Sequence, residues 1–352
     1  MIFFLESWHN AGTEQYVYLL AKELNEKNIN VHLVIFGSVD ELHLKLCEPV
    51  FSKITVLTDY GFSKYKALYE ILNESDARSV HFHLYSNLLP TLCLSKLLGK
   101  KTIATYHIPL SNWSIRHRIF WIMASFLSNT NIAVASTIKN EFLKYRSPNV
   151  KVINPPVSMN GERVSCGSVF NIVGVGRLSN MQKDWPTLIR AISILKNDYN
   201  HQIKVTICGG GPDYNTISQL ISSLRLNDEC VLTGHVDKES IEDHLIRADL
   251  FVLPSIFEGF GIAPVEAMQV GLPTVTANYP ASSDYIIDGV TGWTFPIGDE
   301  ERLARLLNML IIDEKTRDKV VLVGQEVALD KFSPRKIARM HIDEYNSLMS
   351  KD

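Results

Sequence analysis

Short β-type runs alternate with segments of helical period along this chain, and that alternation limits the fold more than any other feature. The runs fall into two sets, 2–5, 31–36, 54–57, 80–84, 102–106, 132–135 and 152–154, then 171–175, 204–208, 231–233, 250–253, 273–276 and 292–295. Between them lie amphipathic helical patterns, such as Val17, Leu20, Ala21 and Leu24 at i, i+3, i+4, i+7. Strands separated by helices pair in parallel, with helices covering both faces of the sheet. The alternation stops at NPPVSMNGERVSCGS (154–168), where Pro, Gly and Ser cluster. This break predicts two α/β domains, residues 1–155 and 156–333. A chain of 352 residues has room for both. The tail reads as one more helix, about 334–352. Ser333 suits its cap and Pro334 its first turn, and Ala338, Ile342, Tyr345 and Met349 form a stripe that one of the domains must cover.

Composition excludes several classes. Apolar residues at 46% and charged residues at 21% rule against disorder, and a net charge of −3 gives no reason to expect nucleic acid as a partner. Five scattered cysteines, Cys47, Cys93, Cys166, Cys208 and Cys230, form no CxxC and read as buried free thiols. MIFFLESWHNAG lacks the basic start of a signal peptide, and the longest apolar run, 119–127, falls far short of the ~20 residues a spanning helix needs. The expectation is a cytoplasmic protein, with peripheral contact at the inner face of the membrane left open.

Ligands of open parallel sheets sit beyond the carboxyl ends of strands, so the loops after strands and the crevice between the halves are the places to search. SIFEGFGIAPVEAMQVGLPTV (255–275) follows a short buried strand. It carries Glu258 and Glu266 with seven residues between them. Pro264 fits the start of a helix, which puts Glu266 in the first turn, where a carboxylate also suits the helix dipole. Gly259 and Gly261 let the backbone approach a ligand, and the N–H groups of Gly261, Ile262 and Ala263 are available to an anion. Glu258 has no helix to complement and sits among Phe257, Phe260 and Ile262; a carboxylate there needs partners, and sugar hydroxyls are good ones.

GVGRLSNMQKDWPTLIRAI (174–192) places Arg177 after a strand and Lys183 before a helix that Asp184 can cap. The two cations suit a diphosphate, Arg as a fork and Lys as a point charge, or else form a solvated surface pair. CGGGPDY (208–214) permits a tight turn against a ligand through Gly209, Gly210 and Gly211, or is a plain connection. Gly234 and His235 in LTGHV end another strand and could offer backbone groups to a base. No GxGxxG with a downstream acid follows any strand, which disfavours a dehydrogenase. In the first half, Gly12 sits just ahead of a helix starting near Thr13 or Glu14, and His107 closes a strand. His81 and His83 share one face of a strand, but no carboxylate or cysteine joins them locally, so a metal site is disfavoured. The segment NWSIRHRIFWIMASFLS (112–128) fits a helix with a basic outer face packed in the first domain, or one lying on an anionic membrane.

The spacing of the two glutamates in FEGFGIAPVEAMQVGLPTV resembles the signature of the retaining GT-B glycosyltransferases, specifically glycosyltransferase family 4. GVGRL with Lys183, then CGGGP, then the closing KFSPRKIARMHIDEY are similar to that family's pattern in the same order. The resemblance covers nearly the whole chain and is most specific in the second half. It implies two Rossmann-like domains with parallel sheets facing a deep cleft, the last helix returning to the first domain. It also implies a nucleotide-diphosphate-sugar donor held mainly by the second domain; the helix at 112–128 suggests a glycan or lipid-linked acceptor. Arg177 and Lys183 match the cations on the diphosphate, Glu266 the acid on the ribose hydroxyls and Glu258 the acid beside the donor sugar. Gly12 matches the loop over the phosphates and His107 the histidine near the reacting sugar. The family usually shows paired glycines in the first loop; here Ala11 precedes Gly12. The implied reaction moves a hexose-type sugar in cell-surface polysaccharide synthesis, with retention and without a metal or other cofactor. The other readings are an epimerase-type enzyme of the same fold and a non-catalytic sugar-nucleotide-binding subunit.

Overall fold

The computed structural model describes residues 1–9, 12–57, 62–83, 86–164 and 169–350; Ala11, Leu84 and Cys166 lie outside the described residues. The chain divides into two units, Met1–Val157 together with the C-terminal segment from Ser333, and Ser158–Phe332. Every β-type run read from the sequence is a strand, with no end displaced by more than two residues.

Unit 1 holds one parallel sheet of seven strands in the order β3-β2-β1-β4-β5-β6-β7. These are β1 (Ile2–Leu5), β2 (His32–Ile35), β3 (Lys53–Val56), β4 (Ser79–His83), β5 (Lys101–Tyr106), β6 (Thr130–Ala133) and β7 (Val150–Val152). Ile2 pairs with His32 on one side and Val80 on the other, so β1 is central and wholly buried despite its length. The first helix, Gly12–Asn25, buries Tyr16, Val17, Leu20, Ala21 and Leu24; each buried Val or Leu contributes ~1.5–3 kcal/mol. The last helix, Pro334–Met349, packs against the first. Its buried face is Ile337, Ala338, His341, Tyr345 and Leu348, while Ile342 and Met349 are half-buried. The expected stripe is corrected here. An apolar count skips His341, yet the structure buries that ring because the Tyr16 hydroxyl lies 2.6 Å from its Nε2.

Unit 2 repeats the plan with six strands in the order β10-β9-β8-β11-β12-β13, all pairs parallel. They are β8 (Phe170–Val175), β9 (Ile203–Cys208), β10 (Cys230–Gly234), β11 (Leu250–Leu253), β12 (Thr274–Ala277) and β13 (Trp293–Phe295). In both sheets the strand order reverses at one place, between β1 and β4 and between β8 and β11. Chains leaving neighbouring strands there turn to opposite faces and open a crevice at the strand ends.

The helix Ile262–Gln269 buries every residue from Pro264 to Gln269. It is enclosed because the helix Glu314–Lys331 covers its outer side, with Gln325 Nε2 donating to the Gln269 carbonyl at 3.0 Å. That explains why this stretch reads as core. Cys47, Cys208 and Cys230 are buried, but Cys93 is exposed. The helix Leu88–Leu97 turns Leu88, Thr91, Leu92 and Ser95 inward, which leaves Cys93 on the opposite face. No helix of the described residues is long and apolar enough to cross a membrane.

Candidate functional site

The loop leaving β8 is shaped by what its glycines admit. A β-carbon on Gly174 would meet the Trp185 ring at 2.6 Å, and one on Gly176 would meet Lys183 Cε at 3.0 Å. Trp185 is fully buried and its Nε1 donates to the Arg177 carbonyl at 3.1 Å, which pins the backbone of Arg177. The Arg177 side chain is exposed. Lys183 closes a one-turn helix, Asn180–Lys183, and Asp184 follows in the left-handed conformation at φ 47°. A non-glycine residue there costs ~1 kcal/mol or more. Asp184 stands at the cap position of the helix Trp185–Tyr199, where its carboxylate accepts from the Thr187 hydroxyl at 2.6 Å.

Lys183 does not stand alone. Its ammonium lies 2.5 Å from Glu258 Oε1, with side-chain exposures of 13% and 9%. The same carboxylate accepts from the Ser255 hydroxyl at 2.7 Å and from Gln182 Nε2 at 3.4 Å. The Ile256 N–H donates to the Gln182 carbonyl at 2.7 Å, which ties the loop after β11 to the loop after β8. Two strands that adjoin at the switch point therefore deliver a cation and a carboxylate into one cluster. A carboxylate this enclosed is costly without partners, and Lys183, Ser255 and Gln182 supply them. Ser255 and Gln182 escaped the sequence reading, since nothing in their spacing marks them as partners of Glu258.

The glycines of CGGGP serve packing first. A β-carbon on Gly209 would lie 2.2 Å from the Gly176 carbonyl oxygen, and one on Gly211 would lie 2.3 Å from that of Leu178. The two loops thus lie backbone against backbone, and Leu178 N–H donates to the Gly210 carbonyl at 2.9 Å. Gly209 N–H donates to Gly234, whose own surroundings are open, and His235 beside it is exposed.

Beyond β11, Gly259 is half-buried and Phe260 is buried against Tyr285 and Phe332. Gly261 adopts φ 98°, and a β-carbon there would meet the hydroxyls of Tyr285 at 2.6 Å and Tyr279 at 2.9 Å. That turn starts the helix at Ile262, two residues earlier than Pro264 suggests. Proline is tolerated at the third position because first-turn N–H groups have no intrahelical partner. Glu266 consequently sits in the second turn, buried at 8%, and its reading as a first-turn complement to the helix dipole is corrected.

In unit 1, Gly12 is the exposed first residue of its helix, so that helix begins slightly earlier than expected. His107 follows β5 and is buried; its Nε2 lies 2.9 Å from His83 Nδ1, and burial pushes it down to about 3. His83 belongs to a wider polar cluster. His81 reaches Thr105 Oγ1 at 2.6 Å and Tyr345 OH at 2.9 Å, and the His81 and His341 rings lie 5.5 Å apart. The ring nitrogens are largely committed to one another and to hydroxyls, and no cluster suited to a metal occurs among the described residues. The helix Ile115–Leu127 turns Trp121 inward. Its outer face is mostly apolar, with Arg116 exposed beside Phe120, while Arg118 donates to the Trp113 and Ser111 carbonyls.

The family model described as Glycosyltransferase Family 4 matches residues 11–160, and the one described as Glycosyl transferases group 1 matches residues 169–326. The chain belongs to glycosyltransferase family 4. The amylovoran biosynthesis glycosyltransferase AmsK of Erwinia amylovora is 33% identical over 170 residues, 47% of this chain and 41% of that protein. The putative colanic acid biosynthesis glycosyltransferase WcaL of Salmonella typhimurium is 29% identical over 180 residues, covering 49% and 44%. The matched stretch thus spans less than half of either relative. The crystal structure of Anabaena HepE in complex with UDP and glucose superposes with a TM-score of 0.87 at 20% identity, over 98% of this chain and 99% of that one. That likeness establishes the fold as GT-B.

Proposed function

We propose that this family 4 protein is a retaining glycosyltransferase that moves a hexose-type sugar from a nucleotide-diphosphate sugar to a glycan or lipid-linked acceptor, in the synthesis of a cell-surface polysaccharide. The observation that carries the reading is the Lys183–Glu258 cluster at the ends of adjoining strands, with Arg177 exposed on the same loop. It is supported by relatives named for amylovoran and colanic acid synthesis and by the UDP bound in the HepE structure.

Breaking the anomeric C–O bond loads negative charge on the departing diphosphate. Lys183 answers that charge by leaving Glu258 for a phosphate oxygen, and Glu258 is thereby freed to accept from a sugar hydroxyl. Arg177 forks onto the diphosphate, and the N–H groups at Gly261 and Ile262 face it from the helix start. Fixed donors of this kind are worth roughly 10²–10³ in rate each, so turnover needs no metal and withstands EDTA. Glu266 holds the ribose hydroxyls, Gly234 and His235 lie by the base, and Gly12 and His107 of unit 1 act on the phosphates and the reacting sugar. Attack from the departing face gives retention.

A thermal-shift screen of nucleoside diphosphates and their sugars finds the donor, since a ligand of the folded state raises the melting temperature. Product analysis with and without acceptor then decides. Sugar transfer with the α or β configuration kept supports the proposal. A rearranged donor formed without acceptor indicates the epimerase-type reading, and binding without turnover the non-catalytic one.

The proposal includes peripheral contact with anionic lipid at the inner face of the membrane. Ile115, Ile119, Met123 and Phe126 stand 48–76% exposed along the outer face of one helix, with Arg116 beside Phe120. Co-sedimentation with anionic vesicles that Ile119→Glu abolishes supports it; equal recovery with neutral vesicles or none refutes it.

A further inference from the structure

The sequence marks His81 and His83 as an unexplained pair, and the structure separates their roles. His81 commits both ring nitrogens, Nε2 to Thr105 Oγ1 and Nδ1 to Tyr345 OH. His83 reaches the other way. Its Nδ1 lies 2.9 Å from His107 Nε2, while its own Nε2 is buried with no hydrogen-bond partner among the described residues. The ring is confined by Phe3, Tyr16 and His81, with centroids at 5.6, 5.3 and 4.3 Å, and is wholly buried.

That orphaned nitrogen decides where the protons are. A neutral imidazole carries one N–H and one lone pair. Burial and the neighbouring histidines hold His83 well below its usual range, so it is neutral. A buried N–H without an acceptor is costlier than an unused lone pair. The His83 proton therefore sits on Nδ1 and is donated to His107. His107 Nε2 must then be the acceptor, and the His107 proton must sit on its Nδ1.

We propose that His83 is a positioning residue for the transfer reaction, holding the His107 ring in one plane and in the tautomer with its proton on Nδ1. The inference rests on the role given to His107 under Proposed function. It concerns a side chain that touches no substrate and acts through its neighbour.

The tautomer is read directly in nitrogen–proton correlation spectra of protein labelled with ¹⁵N-histidine, with His107 assigned from its missing signals in His107→Gln. The expected wild-type result is an Nδ1–H signature for His107, replaced by averaged tautomers in His83→Leu. In kinetics, His83→Leu lowers kcat about 10–100-fold with the donor KM within about twofold, and His83→Asn, whose amide can stand where Nδ1 stood, recovers most of it. An Nε2–H signature for His107 in the wild type overturns the inference, whatever the stability of the variants. So does a wild-type kcat in His83→Leu when His107→Ala is inactive, which leaves the function of His107 intact. If His107→Ala itself transfers at the wild-type rate, the role of His107 falls and the positioning role of His83 falls with it.

Discussion

The two units share a strand order, and the strand ends at or next to each switch point carry opposite chemistry. At the ends of β8 and β11, unit 2 holds a charged pair, Lys183 with Glu258. At the ends of β4 and β5, unit 1 holds neutral histidines, His83 on His107, backed by His81, Tyr16, His341 and Tyr345. The difference shows that the topology supplies only a place. On the function proposed above, a site answering a developing diphosphate charge would keep ions able to exchange partners, and a site orienting a neutral sugar would keep rings locked by hydrogen bonds, whose buried nitrogens resist protonation.

The largest expected effect tests the charged side. Lys183→Ala and Glu258→Ala should each lower kcat by roughly 10²–10³ in a donor-consumption assay. Wild-type turnover in both would erase the contrast. Stability comes next. Lys183→Ala leaves Glu258 half-satisfied by Ser255 and Gln182 and should destabilise the fold by ~3 kcal/mol, the low end for breaking a buried pair. Adding Glu258→Gln removes the stranded charge, so the double variant should regain melting temperature while remaining inactive. Failure to regain it would mean that the pair contributes through packing and not through charge.

The neutral side has its own signature in pH. His107 and His341 are pushed down to about 3 by burial, with His81 and His83 well below their usual range for the same reason. Their folded values lie below the unfolded value near 6.5, so the unfolded chain binds more protons. Stability from these groups is present above pH 6.5 and is lost as pH falls toward 3. Denaturation at pH 7.5 and pH 5 should show that loss, and His341→Asn should reduce it. The smallest effect expected is that of Tyr16→Phe, which strips His341 Nε2 of its partner at a cost of ~1–3 kcal/mol. A neutral Tyr16→Phe would show that the cluster is held by shape alone.

Much of the fold is legible in the residues because its signal is local. The strands at 2–5 and 250–253 announce themselves as short apolar runs bounded by polar or turn residues, and the break at 154–168 by its Pro, Gly and Ser. The candidate site is legible in part. Glu258 stands out because a carboxylate among Phe257, Phe260 and Ile262 needs partners, and Arg177 and Lys183 because one follows a strand and the other precedes a helix. Glu266 was misplaced by one turn, because Gly261 caps the helix with a backbone conformation that Pro264 does not reveal. Ser255 and Gln182 gave no signal, since a hydroxyl and an amide next to a motif are ordinary until the carboxylate they serve has a position.

From the sequence alone follow two parallel α/β halves, their boundary, and a family pattern of glutamates, cations and glycines in the second. Each rests on interactions within a few residues or on period, which the order of residues already contains. What tertiary structure alone decided is who meets whom. Lys183 and Glu258 are 75 positions apart and pair because β8 and β11 are neighbours. His341 is 325 positions from Tyr16 and becomes core because the last helix lies against the first. Such contacts depend on strand order and helix docking, and a polar side chain changes from surface residue to buried partner only once those are set.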